Sequence, residues 1–167
     1  IIITSNKDNF SAGMDLNVLA HLQDQSKNKE EIFQFVMRAH RFLRKIELGG
    51  MDTTNTKKTL IPFVWACNGL SAGIATEIGL ACHYRIAADV KNTKIGLPEI
   101  LVGLFPGAGG ATRVSRMLGL MASAPILMEG KMFSAKKAKA IGLINEVSSP
   151  LNLVKDAKNW ILGATKE

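Results

Sequence analysis

Apolar and polar positions switch along this chain between a period of two and a period near 3.6, and the switches mark its elements. Residues 1–5, Ile1-Ile2-Ile3-Thr4-Ser5, form an apolar β-type run that ends in the turn Asn6-Lys7-Asp8-Asn9. The small-residue turn Phe10-Ser11-Ala12-Gly13-Met14-Asp15-Leu16 then feeds a short helix. Over 30–48 the pattern is helical, with Ile32, Phe35, Val36, Ala39, Phe42, Leu43 and Ile46 spaced by three and four as one stripe. Arg38, Arg41, Arg44 and Lys45 lie mostly on the other side and in the last turn, where cations suit the helix dipole. Gly49-Gly50 stops this helix, and 52–58 is a polar connection.

Strands are predicted at 61–67, 84–88 and 94–97, the last closed by Pro98, which cannot continue a ladder. Asn68-Gly69-Leu70-Ser71-Ala72-Gly73 reads as a tight turn and 74–82 as a helix of small residues. Helices follow at 111–118, with Gly119 as its C′ glycine, and at 135–140, capped by Ser134 and ended by Gly142. A last strand at 143–147 and a last helix at 151–162 complete the pattern. Strands alternating with helices predict an α/β domain, and 167 residues suit one domain rather than two.

Composition narrows the picture modestly. Hydrophobic residues make up 47% and charged residues 21%, the profile of an ordinary globular domain. No apolar run approaches the roughly 18–20 residues that span a bilayer. The start lacks a basic lead and a long apolar stretch, so it reads as a strand already under way rather than a signal peptide. Cys67 and Cys82 have neither CxxC spacing nor a zinc-completing His nearby, so they read as buried thiols in a reducing compartment, and no metal site is expected. The net charge of +7 admits an anionic ligand. Nucleic acid is a poor candidate, because the cations are scattered and no finger, basic zipper or RNP-like motif is present.

Two local motifs fail on their partners. Gly69-Leu70-Ser71-Ala72-Gly73 is a literal G-x-S-x-G between a strand and a helix, but an elbow nucleophile needs an acid and then a histidine later in the chain. Only His83 follows Ser71, with no Asp between them. The glycines of 103–110 lack the Lys-Ser/Thr of a phosphate loop and the third glycine of a dinucleotide fingerprint. His21, His40 and His83 read as structural histidines.

The carboxylates are more informative. Of the 14 acidic residues, most lie in polar stretches; Glu77 and Glu99 do not. Glu77 stands in Ala72-Gly73-Ile74-Ala75-Thr76-Glu77-Ile78-Gly79-Leu80-Ala81-Cys82, and Glu99 in Ile95-Gly96-Leu97-Pro98-Glu99-Ile100-Leu101-Val102. A carboxylate in such company is costly unless paired, hydrogen-bonded or neutral. Two facing one cavity would separate in pKa, one charged and one protonated, as general acid/base chemistry at neutral pH requires. Structural pairing with Arg85 or Arg113 is the competing account of either group.

Three blocks, FSAGMDL, NGLSAGIATEIGLACHYRIA and IGLPEILVGLFPGAGGATRVSRMLG, resemble in order and spacing the signature segments of the crotonase (enoyl-CoA hydratase/isomerase) superfamily. KMFSAKKAKAIGLINEV resembles the segment that follows them, so the likeness covers nearly the whole chain. It is strongest to the hydratase half of multifunctional fatty-acid β-oxidation α-subunits, with Asn159-Trp160-Ile161-Leu162-Gly163 resembling the start of the linker to their dehydrogenase half.

The resemblance implies a crotonase/ClpP-like α/β spiral of β-β-α units, here truncated at both ends. It implies that residues 1–167 are a single core domain, a fragment of a longer chain. The implied activity is enoyl-CoA hydratase: water is added across the 2,3 double bond of trans-2-enoyl-CoA in fatty-acid β-oxidation. Δ3,Δ2-enoyl-CoA isomerisation and a non-catalytic acyl-CoA-binding or assembly role are the alternatives. Glu77 and Glu99 are the implied catalytic pair, Glu77 the ionised base and Glu99 the donor of the α-proton. The Met14 and Ile74 backbone N–H groups are the implied oxyanion hole, and Ala12, Gly13, Asp15, Gly73, Gly107 and Ala108 the substrate or CoA contacts. The family's usual three glycines before the first glutamate read here Gly73-Ile74-Ala75. The CoA thioester is substrate and no cofactor is implied. Implied partners are a second copy of the chain or a multifunctional β-oxidation complex, in the bacterial cytoplasm or the mitochondrial matrix.

Overall fold

A computed structural model describes residues 1–18, 29–50 and 60–164 of the chain. His21 and the polar connection expected at 52–58 lie outside the described residues.

Among the described residues, six strands, all paired in parallel, form two sheets. The larger has the order β1 (Ile2–Thr4), β2 (Val64–Cys67), β4 (Tyr84–Ala88), β6 (Glu146–Ser148). The smaller pairs β3 (Leu70–Ala72) with β5 (Lys94–Gly96), and a parallel bridge between Ser11 and Ser71 extends it on the other side. The chain therefore repeats one path: a strand in the large sheet, a short strand or bridge in the small one, then a helix. β1, Ser11 and the helix opening at 16–18 make one turn of this spiral. β2, β3 and the helix α2 (Ile74–Ala81) make the next, and β4 and β5 begin another.

The β-β-α spiral expected from the family likeness is the observed architecture. β2 is buried at every position, as a parallel strand covered on both faces must be. Its Trp65, 1% exposed, lies under α2, where Gly79 leaves room for the ring; a Cβ at Gly79 would come within 2.7 Å of it.

Several elements differ from the periodicity reading. Residues 70–72 are a strand rather than part of a turn, because they pair with β5 and with Ser11. The last strand starts at Glu146 rather than at 143. Leu143 and Ile144 are buried side chains of the connection, Asn145 donates to the Arg85 carbonyl at 2.9 Å, and the three residues after it pair with β4 in register. A 3-10 helix at Glu99–Val102 and a helix α4 (Leu120–Leu127) directly after α3 (Gly110–Leu118) carried no periodic signal. The apolar stripe of α1 (Lys29–Glu47) is buried only at Leu43 and Ile46, while Val36 and Phe42 are exposed. Gly49 and Gly50 end α1 by donating to the Ile46 and Lys45 carbonyls, a Schellman pattern.

The basic helix α5 (Ala135–Ala140) keeps its Ser134 cap. Residues 159–163 are the last turns of α6 (Leu153–Ala164), where Trp160 stacks on Tyr84 with ring centroids 4.5 Å apart.

Candidate active site

Glu77 sits on the first turn of α2 and is only 2% exposed. Its Oε1 accepts hydrogen bonds from the backbone N–H groups of Ala108, at 2.9 Å, and Gly110, at 2.7 Å. Gly110, the first residue of α3, can approach this closely only because it lacks a side chain. A Cβ there would lie 2.8 Å from Glu77 Cγ and Oε1. Burial pushes the Glu77 carboxyl above the ordinary carboxylate range, and it stays raised although the two N–H bonds, the Arg113 guanidinium and the His40 ring oppose the shift.

Glu99 opens the 3-10 turn after Pro98 and is half-buried. Burial raises its carboxyl as well; its own backbone N–H opposes that rise and the charge of Glu77 adds to it. Oε2 of Glu99 is buried and has no hydrogen-bond partner among the described residues. Oε1 lies beside Gly73, where a Cβ would stand 3.3 Å from it and 4.0 Å from the Gly13 Cα. Gly13, Gly73 and Glu99 thus meet at one point, and Glu77 is close enough to act on Glu99 electrostatically.

The residues after those two glycines are Met14 and Ile74. Gly13 and Gly73 take φ of 101° and 59°, a region that L side chains rarely adopt. Gly73 is the N-cap of α2, its carbonyl accepting from Thr76 and Glu77 at 2.8 and 3.0 Å. Residues 11–13 are held against β3 by Ser11 N–H to Leu70 O and Ala72 N–H to Ser11 O. Among the described residues, neither the Met14 nor the Ile74 N–H has a backbone acceptor. At Ile74 the N–H is a free first-turn donor at the positive end of the helix. Its side chain packs against the core, and among the described residues no non-glycine residue has a positive φ. The strained conformation falls on Gly73, so isoleucine at the next position needs none.

The other expected contacts are placed as follows. Ala12, Met14, Asp15 and Gly107 are exposed, and Ala108 is buried. Asp15 Oδ1 accepts from the Asn17 N–H at 2.8 Å, a cap on the helix that opens at residue 16. A surface cavity of about 480 Å³ is lined by Lys7, Asp8, Asn9, Phe10, Ser11 and Ala12.

Neither glutamate forms an ion pair with Arg85 or Arg113 among the described residues. Arg113 Nε donates to Glu47 Oε1 at 2.7 Å, and Arg85 donates to the Cys82 carbonyl at 2.8 Å. Ser71 is fully buried with its Oγ against Thr76 Oγ1, a small strand residue and no nucleophile. His83 Nδ1 accepts from the Phe63 N–H, a structural role. No three His, Cys, Asp or Glu residues gather in a metal-holding group among the described residues. His40 and Gly110 are site neighbours that the sequence reading missed. Gly110 had a usable signal, as the last glycine before a helix in Gly107-Ala108-Gly109-Gly110. His40 had none, because its approach to Gly109 depends on how α1 packs.

Comparison with known proteins supplies the family and the fold. Residues 1–165 match the family model for enoyl-CoA hydratase/isomerase. The fatty acid oxidation complex subunit alpha of Shewanella frigidimarina is 34% identical over 147 residues, covering 88% of this chain and 19% of the relative. The same subunit of Shewanella loihica is 32% identical over 99% of this chain and 22% of the relative. This chain thus spans about a fifth of the length of the curated relatives it matches. Among solved structures, an enoyl-CoA hydratase from Bacillus anthracis superposes with a TM-score of 0.80 at 28% identity, over 99% of this chain and 58% of that one. One from Geobacillus kaustophilus gives 0.79 at 27% identity, over 95% and 55%. No helix among the described residues is long and apolar enough to cross a membrane. On its sequence and its fold, the chain belongs to the enoyl-CoA hydratase/isomerase family.

Proposed function

We propose that this chain is the hydratase core of a fatty-acid β-oxidation enzyme, adding water across the 2,3 double bond of a trans-2-enoyl-CoA. The observation that carries the proposal is the meeting of Glu99 with the Gly13–Gly73 contact, just before the Met14 and Ile74 N–H groups, with Glu77 close enough to act on Glu99 electrostatically. In this reading the thioester oxygen accepts from those two N–H groups, which stabilise the enolate-like charge as it develops. Glu77 takes a proton from the water whose oxygen bonds to the β-carbon. Glu99 gives its proton to the α-carbon. Turnover leaves Glu77 protonated and Glu99 ionised, and exchange with solvent restores both.

The environments support that division. Against burial, Glu77 has two N–H donors, the Arg113 guanidinium and the His40 ring favouring its charged form, whereas at Glu99 the negative charge of Glu77 adds to the effect of burial. Ala12 and the cavity beside it are proposed for the CoA portion, with Gly13, Asp15, Gly73, Gly107 and Ala108 along the path of the substrate. The curated relatives are named as subunits of a fatty acid oxidation complex, and the same setting is proposed for this chain.

The test follows loss of the conjugated enoyl thioester absorbance in the wild type, Glu77→Gln and Glu99→Gln, with CoA-ester binding measured alongside. Each substitution is expected to lower turnover by about 10²-fold to 10⁴-fold while binding persists. Unchanged turnover in both variants overturns the assignment. Binding without turnover in the wild type points to a non-catalytic module, and absorbance gained from a 3-enoyl-CoA reports isomerisation.

A further inference from the structure

Glu47 is in an unexpected place. It ends α1, where the helix dipole disfavours a carboxylate, yet it is well partnered. Oε1 accepts from Arg113 Nε at 2.7 Å and Oε2 from Arg44 Nη1 at 2.9 Å. Burial alone would raise its carboxyl, but those guanidinium bonds hold it below the usual range. Arg113 is the better sheltered partner, with a side chain only 13% exposed. Its remaining bond runs to the site, since Nη1 donates to the Ala108 carbonyl at 2.9 Å. The guanidinium also lies across Gly109, where a Cβ would come within 2.6 Å of Nη1. Ala108 is therefore held at its carbonyl by Arg113 and holds Glu77 Oε1 through its N–H.

Resting on the proposed hydratase reading, we propose that Arg113, anchored by Glu47, is a positioning residue for the Glu77 carboxylate. It fixes the turn 107–110, so that the Ala108 and Gly110 N–H groups both meet Oε1 and direct Oε2 toward the water. A guanidinium suits this task, because its planar fork serves a carboxylate and a carbonyl at once, whereas a lysine ammonium is a single flexible point charge. The titratable and charged groups around Glu77 are Arg113 on α3, His40 on α1 and Glu99 on the 3-10 turn, with Glu47 one bond behind Arg113. Loss of the arginine removes a cation near Glu77 and loosens two N–H bonds, and both changes favour the protonated acid. The acidic limb of the rate profile then moves to higher pH.

The experiment uses the full chain with Arg113→Met, Arg113→Lys and Glu47→Gln. The readouts are kcat and KM for an enoyl-CoA against pH, and an NMR titration of ¹³C-labelled glutamate carboxyls with Glu77 assigned by its Gln variant. For Arg113→Met, kcat is expected to fall about 10-fold to 100-fold, with KM held within about threefold. Both the acidic limb and the Glu77 titration are expected to rise by about one pH unit. Glu47→Gln and Arg113→Lys should shift in the same direction by less. If the methionine variant does not fold, these two decide the matter. An unchanged limb and an unchanged Glu77 titration in the folded variants overturn the positioning role. A wild type without turnover refutes the hydratase reading instead, and the NMR titration still tests the positioning.

Discussion

The two glutamates at this site are held in opposite ways. Glu77 is on a regular helix, nearly inaccessible, with one oxygen bound by two backbone donors from another element. Glu99 is on a single 3-10 turn, half-buried, with Oε2 buried and unbonded among the described residues. The tightly held group is the one proposed to begin charged and to take its proton from a water. The loosely held group is the one proposed to lose and regain a proton. The difference teaches that burial raises both carboxyls while the fold answers that rise in opposite ways. At Glu77 the fold opposes the burial cost with donors, and at Glu99 it adds a like charge.

Shortening each acid by one methylene breaks the comparison most severely. Glu77→Asp cannot reach the Ala108 and Gly110 N–H groups, and turnover is expected to fall about 100-fold. Glu99→Asp, on a turn that can readjust, is expected to lose about 10-fold. Equal losses would show that the two groups are held alike. A smaller effect follows from Gly110→Ala, whose Cβ would meet Glu77 Cγ and Oε1 at 2.8 Å. Turnover is expected to drop about 10-fold with binding preserved, and a drop confined to binding would contradict the clamp.

The smallest effect is on stability. Both carboxyls are raised on folding, so the stability they contribute is full below the ordinary carboxylate range and is lost as pH rises through their folded pKa values. Neutral glutamine removes that loss. Glu99→Gln is therefore expected to raise the melting temperature at pH 7, and the gain should vanish near pH 4. Glu77→Gln should gain less, since it surrenders the charge that two N–H donors favour. Thermal melts at the two pH values test this.

Much of the fold was legible because its signals are local. β4 and α5 fall where the pattern put them, since an apolar run ending at a polar turn and a Ser134 cap depend on neighbouring residues alone. β3 was not legible. Its three residues are a strand only because Ser11 and β5 lie on either side, and neither contact is local. The exposed half of the α1 stripe was misread for the same reason, because periodicity shows which side is apolar but not how far the partner extends.

The site divides along the same line. The sequence by itself determined that Glu77 and Glu99 are carboxylates out of place among apolar residues, and the three ordered blocks carried the family. It also set Gly13 and Gly73 just before Met14 and Ile74. Only the tertiary structure decided what makes Glu77 tolerable: donors from residues 31 and 33 positions away, rather than the arginine pairing the sequence allowed. It likewise sent Arg113 to Glu47, 66 positions back along the chain. The physical reason is range. Propensity, capping and turn chemistry act within a few residues, while the desolvation of a buried charge is answered by whichever donors packing brings close.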